Sequence, residues 1–237
     1  SENTHQLMHG VVEHGAQVLT GDPRRQIAPL LYYHPEGPVG QLFQARMKAN
    51  VDAPVGVVGL GCGSLAYYWV RGQPFVFFEI DPVVIRIARD PDLFTFLRDS
   101  KATCEVVEGD ARLSLERQAD ERFGLLVVDA FSGDSIPVHL LTREAVRMYL
   151  RKLAPGGVIA FHVSNNYFEL EPVLAAVAES EKLRGLSRRD RGTDLTEADR
   201  RKGRSPSHWV LLAPSDEGLR WVETDPRWKP LASRPGQ

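Results

Sequence analysis

Four acidic residues each stand at or just beyond the end of a short apolar run: Glu79 after FVFF, Asp110 after VVEG, Asp129 after LLVV, and Asp134 within DAFSGDSIP. Ahead of them lies VVGLGCGSLA, with glycines at positions 59, 61 and 63. A glycine-rich turn between a strand and a helix lets a ligand reach the main chain, and the helix start offers unpaired N–H groups. Gly59, Gly61 and Gly63 therefore read as a ligand loop. Their spacing is GxGxG, with Ser64 where a dinucleotide fingerprint needs its third glycine, so pyrophosphate binding is disfavoured. Glu79 follows about 20 residues later, where a carboxylate takes both hydroxyls of a ribose. Asp110, with Ala111 beside it, closes the third run, where an acid accepts from the exocyclic amine of adenine. Asp129 is the fourth run's contribution to the same adenosine pocket. Asp81 and Glu108 read as solvated strand ends.

The elements that must position these groups are legible from Pro54 onward. The runs at 55–60, 75–80, 104–109, 125–130 and 158–163 are nearly continuous apolar strands, as expected when helices cover both faces of a sheet. Helical spacing marks 65–70, 82–99 in two pieces broken at Pro91, 113–118 and 143–153; Thr142 is placed to cap the last, and PGG to stop it. The pattern predicts an α/β fold, a doubly wound parallel Rossmann-like sheet of the class I methyltransferase type with a short N-terminal β leader. Residues 1–50 are the leader and substrate-facing segment, expected as a strand, a loop and a helix; 51–237 are the nucleoside-binding catalytic domain. The charged stretch 181–207 is expected to be an exposed loop, and SHWVLLAP beyond it a strand.

Composition removes several classes of function. With 237 residues, 43% of them hydrophobic, the chain buries a full core. Its formal net charge of −2 gives no basic field for nucleic acid or an anionic membrane. The two cysteines, Cys62 and Cys104, form no CxxC, and His5, His9 and His14 have no acid or cysteine cluster beside them, so neither a disulfide framework nor a metal is expected. No apolar run nears the roughly 18 residues that span a bilayer, and the opening residues lack the order of a signal peptide. A cytoplasmic location is the expectation.

The blocks HGVVEHGAQ, YYHPEGPVG, VVGLGCGSLA, FFEIDP, VEGDAR and VVDAFSGDSIPVHLLTREA, in this order, resemble the polyamine aminopropyltransferases, the spermidine synthases. Within them the likeness is to a spermidine synthase-like branch related to bacterial members fused to membrane segments. The resemblance covers most of residues 9–166. It implies transfer of a 3-aminopropyl group from decarboxylated S-adenosylmethionine, a co-substrate and not a tightly bound cofactor, to an amine such as putrescine, leaving 5′-methylthioadenosine. It further implies that Asp129 holds the donor's ammonium, that Asp134 is the base with Tyr33 beside it, and that His14, Gln17, Tyr33 and His34 line the acceptor pocket. A homodimer is implied too.

The chemistry explains the acids. An amine of pKa about 10 arrives protonated, and a positioned base that removes the proton contributes on the order of 10²- to 10⁴-fold. The family's loop commonly reads D-S-x-D-P; here Ser132 holds the second acid's place and Asp134 comes two residues later, so a bulge at Gly133 is expected to bring Asp134 in. The chain starts almost at the HG block and ends without the family's usual tail, as an excised domain of a membrane-anchored parent would. Two alternatives stand beside this: an S-adenosylmethionine-dependent methyltransferase, whose donor carboxylate these acids would repel, and a catalytically silent nucleoside- or polyamine-binding domain.

Overall fold

A computed structural model describes residues 3–10, 12–19, 28–49, 52–70, 72–131, 137–165 and 168–231. Ser132, Gly133 and Asp134 lie outside the described residues. The leader holds two strands, β1 (Asn3–His9) and β2 (Val12–Leu19), paired antiparallel as a sheet of their own. The helix α1 (Pro38–Lys48) follows, with Pro38 in its first turn where no N–H is missed. Val39, Leu42 and Phe43 of α1 join the core beneath the main sheet.

The main sheet has eight strands. In chain order they are β3 (Val55–Val58), β4 (Phe75–Glu79), β5 (Cys104–Glu108), β6 (Phe123–Val128), β7 (Leu153–His162), β8 (Arg184–Asp190), β9 (Ser207–Ala213) and β10 (Lys229–Pro230). Across the sheet they lie β10-β8-β9-β7-β6-β3-β4-β5. The chain therefore moves outward from β3 through β4 to β5, then restarts on the other side with β6 and β7. That reversal leaves a crevice at the carboxyl ends of β3 and β6, where open α/β sheets bind ligands. Alternate residues serve opposite faces: Val55, Val57, Leu125 and Val127 pack into one core, and Val58, Leu126 and Val128 into the other. Burial on both faces is why these strands read as unbroken apolar runs.

The helices are α2 (Pro82–Arg89), α3 (Phe96–Asp99), α4 (Ala111–Glu116), α5 (Arg143–Lys152), α6 (Glu171–Ser180), α7 (Glu197–Arg201) and α8 (Asp216–Leu219). Asp81, Asp110 and Thr142 cap α2, α4 and α5, each side chain accepting a backbone N–H. None of the described helices is long and apolar enough to cross a membrane.

Three expectations need correction. The helix expected at 65–70 is a 3₁₀ turn, Ser64–Tyr68, whose Leu65, Ala66 and Tyr68 are all buried, so no polar face remains for a longer amphipathic helix. The sheet is not wholly parallel: β9 runs antiparallel to β7 and β8, and β10 antiparallel to β8. The stretch 181–207 is not simply an exposed loop, because it contributes β8, an interior strand. Arg188 and Asp190 fall on one face of β8, two residues apart, and satisfy each other through a 3.1 Å bond; Asp225 at 3.3 Å adds to the network. Charge density marked this segment as solvated, yet internal pairing lets it be buried.

Candidate functional site

The ends of β3 to β6 bring Gly59, Glu79, Asp110 and Asp129 to one edge of the sheet. Gly59 and Gly61 adopt φ of +93° and +53°. A Cβ on Gly59 would lie 2.4 Å from the Asp129 carbonyl oxygen, and one on Gly61 would lie 2.6 Å from that of His14. Glycine is thus what lets the end of β6 and the strand β2 close on the loop from two sides. Gly63, also left-handed, starts the 3₁₀ turn. Glu79 is fixed against this loop: Oε2 accepts the Leu60 N–H at 2.9 Å and Oε1 the Asp81 N–H at 3.0 Å. The Asp110 carboxylate caps α4 through the Leu113 N–H at 3.0 Å, and Ala111 is the first residue of that helix.

His14, on β2, stands between two of these acids. Burial lowers its pKa, and the Asp129 and Glu79 carboxylates oppose that shift. Its Nε2 is buried without a hydrogen-bond partner among the described residues. Tyr33 is buried beside Asp129; burial first, and then that carboxylate, push the phenol well above its usual range. Gln17 and His34 are engaged elsewhere. Gln17 clamps Thr95 with two 2.8 Å bonds, one to the hydroxyl and one from the backbone N–H. His34 accepts the Glu36 N–H at 3.1 Å in the turn before α1.

A residue that the sequence did not single out occupies the middle of this arrangement. His162 ends β7 with 2% of its side chain exposed, stacked on Trp209 at 4.5 Å between ring centroids. Its Nδ1 lies 2.7 Å from Asp129 Oδ1 and its Nε2 2.8 Å from Ser164 Oγ. A carboxylate only accepts, so Nδ1 donates. Ser164 in turn accepts the His208 N–H at 2.9 Å. The one available signal was a histidine interrupting the apolar run VIAFHV at a strand's carboxyl end. Asp129, 6% exposed, is therefore not a free acid on a loop; His162 holds its orientation.

Ser164 also lines a cavity of about 450 Å³ at the carboxyl ends of β7 and β8 and the start of β9, with Arg189, Arg191, Ser207 and His208. The carboxyl edge of the sheet thus holds two neighbouring regions, the cleft at the glycine loop with Glu79 and Asp129 and this cavity, linked through Asp129, His162 and Ser164.

No protein-family model matches the chain. A segment of 108 residues is 33% identical to a polyamine aminopropyltransferase from Vibrio vulnificus; it covers 44% of this chain and 35% of that relative. The chain thus matches only about a third of the relative's length. The fold is similar to that of a probable spermidine synthase from Corynebacterium glutamicum, with a TM-score of 0.58, 18% identity, and 92% of this chain and 88% of that one covered. It is also similar to human methyltransferase-like protein 13 in complex with SAH, with a TM-score of 0.53, 18% identity, and 76% of this chain and 82% of that one covered. The architecture is the one that spermidine synthases and class I methyltransferases share.

Proposed function

We propose that this protein transfers the 3-aminopropyl group of decarboxylated S-adenosylmethionine to an amine and releases 5′-methylthioadenosine. The observation that supports this most is the charge of the cleft. Glu79 is bonded to the Leu60 N–H and Asp129 closes on Gly59, so two carboxylates stand at the one glycine loop where a sulfonium and an ammonium would sit. Intact S-adenosylmethionine carries a carboxylate at that end, which the same acids would repel. The likeness to an aminopropyltransferase, partial as it is, points the same way.

In this scheme Gly59, Gly61 and Gly63 admit the nucleoside, Glu79 takes the ribose hydroxyls, and Asp110 with the start of α4 at Ala111 faces the adenine. Asp129 holds the donor's ammonium. A carboxylate has about four lone-pair sites, and His162 uses one, which directs the group and leaves room for further partners. The neutral acceptor amine attacks the carbon next to the sulfonium, the C–S bond breaks, and the thioether leaves uncharged while the amine's proton passes to a base. Asp134 is the base we propose; Tyr33 and His14 shape the surroundings, with Gln17 and His34 further out. Putrescine is the acceptor to begin from, a homodimer the assembly, and the cytoplasm the location.

The direct test offers decarboxylated and intact donor in parallel with several amines and identifies products by mass. Aminopropylated amine together with 5′-methylthioadenosine is expected; methylated product without it would overturn the proposal. Asp134→Asn should lower turnover about 10²-fold at unchanged donor affinity, since the amide cannot accept the proton. Near wild-type turnover would remove Asp134 from the scheme.

A further inference from the structure

The 450 Å³ cavity carries three features that the nucleoside chemistry does not use. Ser207 is 3% exposed, and its Oγ has no hydrogen-bond partner among the described residues. A buried hydroxyl left alone is unfavourable, so a group entering the cavity has a donor waiting.

The second feature is cationic charge. Arg189 donates from Nε at 3.1 Å and Nη2 at 3.0 Å to Nδ1 of His208. A guanidinium only donates, so Nδ1 bears no proton and His208 is neutral. Burial and then Arg189 agree with this, pushing the His208 pKa down to about 3, while its Nε2 faces Glu171 at 2.9 Å. Among the described residues neither Arg189 nor Arg191 has an ion-pair partner, and both charges act on His208. Of the acids in the cavity wall, Asp190 is held by Arg188 and Arg204, and Glu169 has a partner of its own.

The third feature is position. Ser164 Oγ belongs to this wall and leads through His162 to Asp129 of the cleft. A molecule in the cavity is therefore next in line to whatever the cleft holds.

We propose that the cavity receives a carboxylate, and that the acceptor is an amine that also carries one, an amino acid or ω-amino acid in place of a free diamine. The word acceptor rests on the aminopropyl scheme; the carboxylate rests on the cavity alone. Arg189 is braced on His208 with its fork available for two parallel bonds to a carboxylate, and Ser207 supplies a further donor. A diamine with two ammonium groups meets two unanswered guanidinium charges in the same space.

The experiment titrates 4-aminobutanoate, putrescine and acetate into the whole chain by calorimetry, with 5′-methylthioadenosine present, and repeats this with Arg189→Gln, Arg189→Lys and Ser207→Ala after circular dichroism confirms folding. The expected result is 4-aminobutanoate bound at least tenfold more tightly than putrescine. Arg189→Gln should lose about tenfold, Ser207→Ala less, and Arg189→Lys should recover only part. Acetate as tight as 4-aminobutanoate would make this an anion site unconnected with an acceptor and overturn that half. Putrescine preferred, with Arg189→Gln silent, would overturn the whole inference while leaving aminopropyl transfer intact. Amino-acid binding that depends on Arg189, with no aminopropylated product from any amine by mass, would keep the carboxylate site and remove the transfer scheme.

Discussion

The cleft and the cavity lie at the same edge of one sheet, and they are built by opposite means. The cleft sits over parallel strands and is a matter of backbone: Gly59 and Gly61 adopt left-handed φ so that Asp129 and His14 can close on them, and Glu79 is bound to main-chain N–H groups. The cavity sits over β7 to β9, where regular antiparallel strands carry its chemistry in side chains. There Arg188 and Arg204 hold Asp190, Arg189 leans on His208, and Ser164 on His162. A site made by backbone conformation is local in sequence. One made by side-chain networks draws on positions 164, 189 and 207, which no spacing rule connects.

If the two regions are independent, they should fail independently. The largest effect is expected at Arg188, whose side chain is 1% exposed between Asp190 and Asp225. Removing one partner of a buried ion pair costs up to about 3–5 kcal/mol, less where the acid keeps a second cation, as Asp190 keeps Arg204 and Asp225 keeps Arg227. Arg188→Ala should therefore lower the urea midpoint sharply, yet bind 5′-methylthioadenosine as wild type does while it remains folded. Arg188→Ala together with Asp190→Ala should recover part of the loss. Nucleoside affinity that falls along with stability would show that the networks under the cavity also set the cleft.

The next effect has the reverse signature. Glu79→Ala should weaken 5′-methylthioadenosine by about 1.5–3 kcal/mol, the range for hydrogen bonds to a charged group, measured by calorimetry. Its cost in stability should be smaller, since of the two freed N–H groups that of Asp81 is exposed and water can replace the carboxylate there. Glu108→Ala, at the exposed end of β5, should change neither. Equal affinity in wild type and Glu79→Ala would take Glu79 out of the cleft.

The same contrast explains what the sequence disclosed. Strands β3, β4, β6 and β7 were legible because burial on both faces leaves long apolar runs, and the glycine loop because left-handed φ values favour glycine. The break at Pro91 and the cap at Thr142 are likewise local chemistry. Strand β8 was not legible, since RGLSRRD has the composition of a solvated segment; its burial depends on Asp225 and Gln41, distant in sequence, to answer Arg188. His162 escaped notice for the same reason. Nothing near it in the chain marks it as the partner of Asp129, 33 residues away. The lesson extends to Gln17, whose bond to Thr95 across 78 residues nothing local in the chain announces.

The smallest effect tests the cavity's neutral histidine by pH. His208 has its folded pKa lowered from 6.5 to about 3, so the folded chain refuses a proton that the unfolded chain accepts. Above about 6.5 both states leave this imidazole neutral, and it adds nothing to the pH dependence. Between about 6.5 and 3 the unfolded state binds up to one proton more, so unfolding becomes easier as pH falls, by at most about 1.4 kcal/mol per pH unit from this group. His14 and His34, also lowered, act with the same sign, so the wild-type curve alone assigns nothing. The difference between wild type and His208→Gln isolates it: urea midpoints from pH 7.5 to 5 should fall less steeply in the variant. The folded chain keeps His208 neutral through this range, so the brace on Arg189 stays in place and 4-aminobutanoate affinity should hold from pH 7.5 to 5. Parallel slopes for wild type and His208→Gln would mean that His208 does not stay neutral on folding, and Arg189 would lose the support on which the carboxylate site depends.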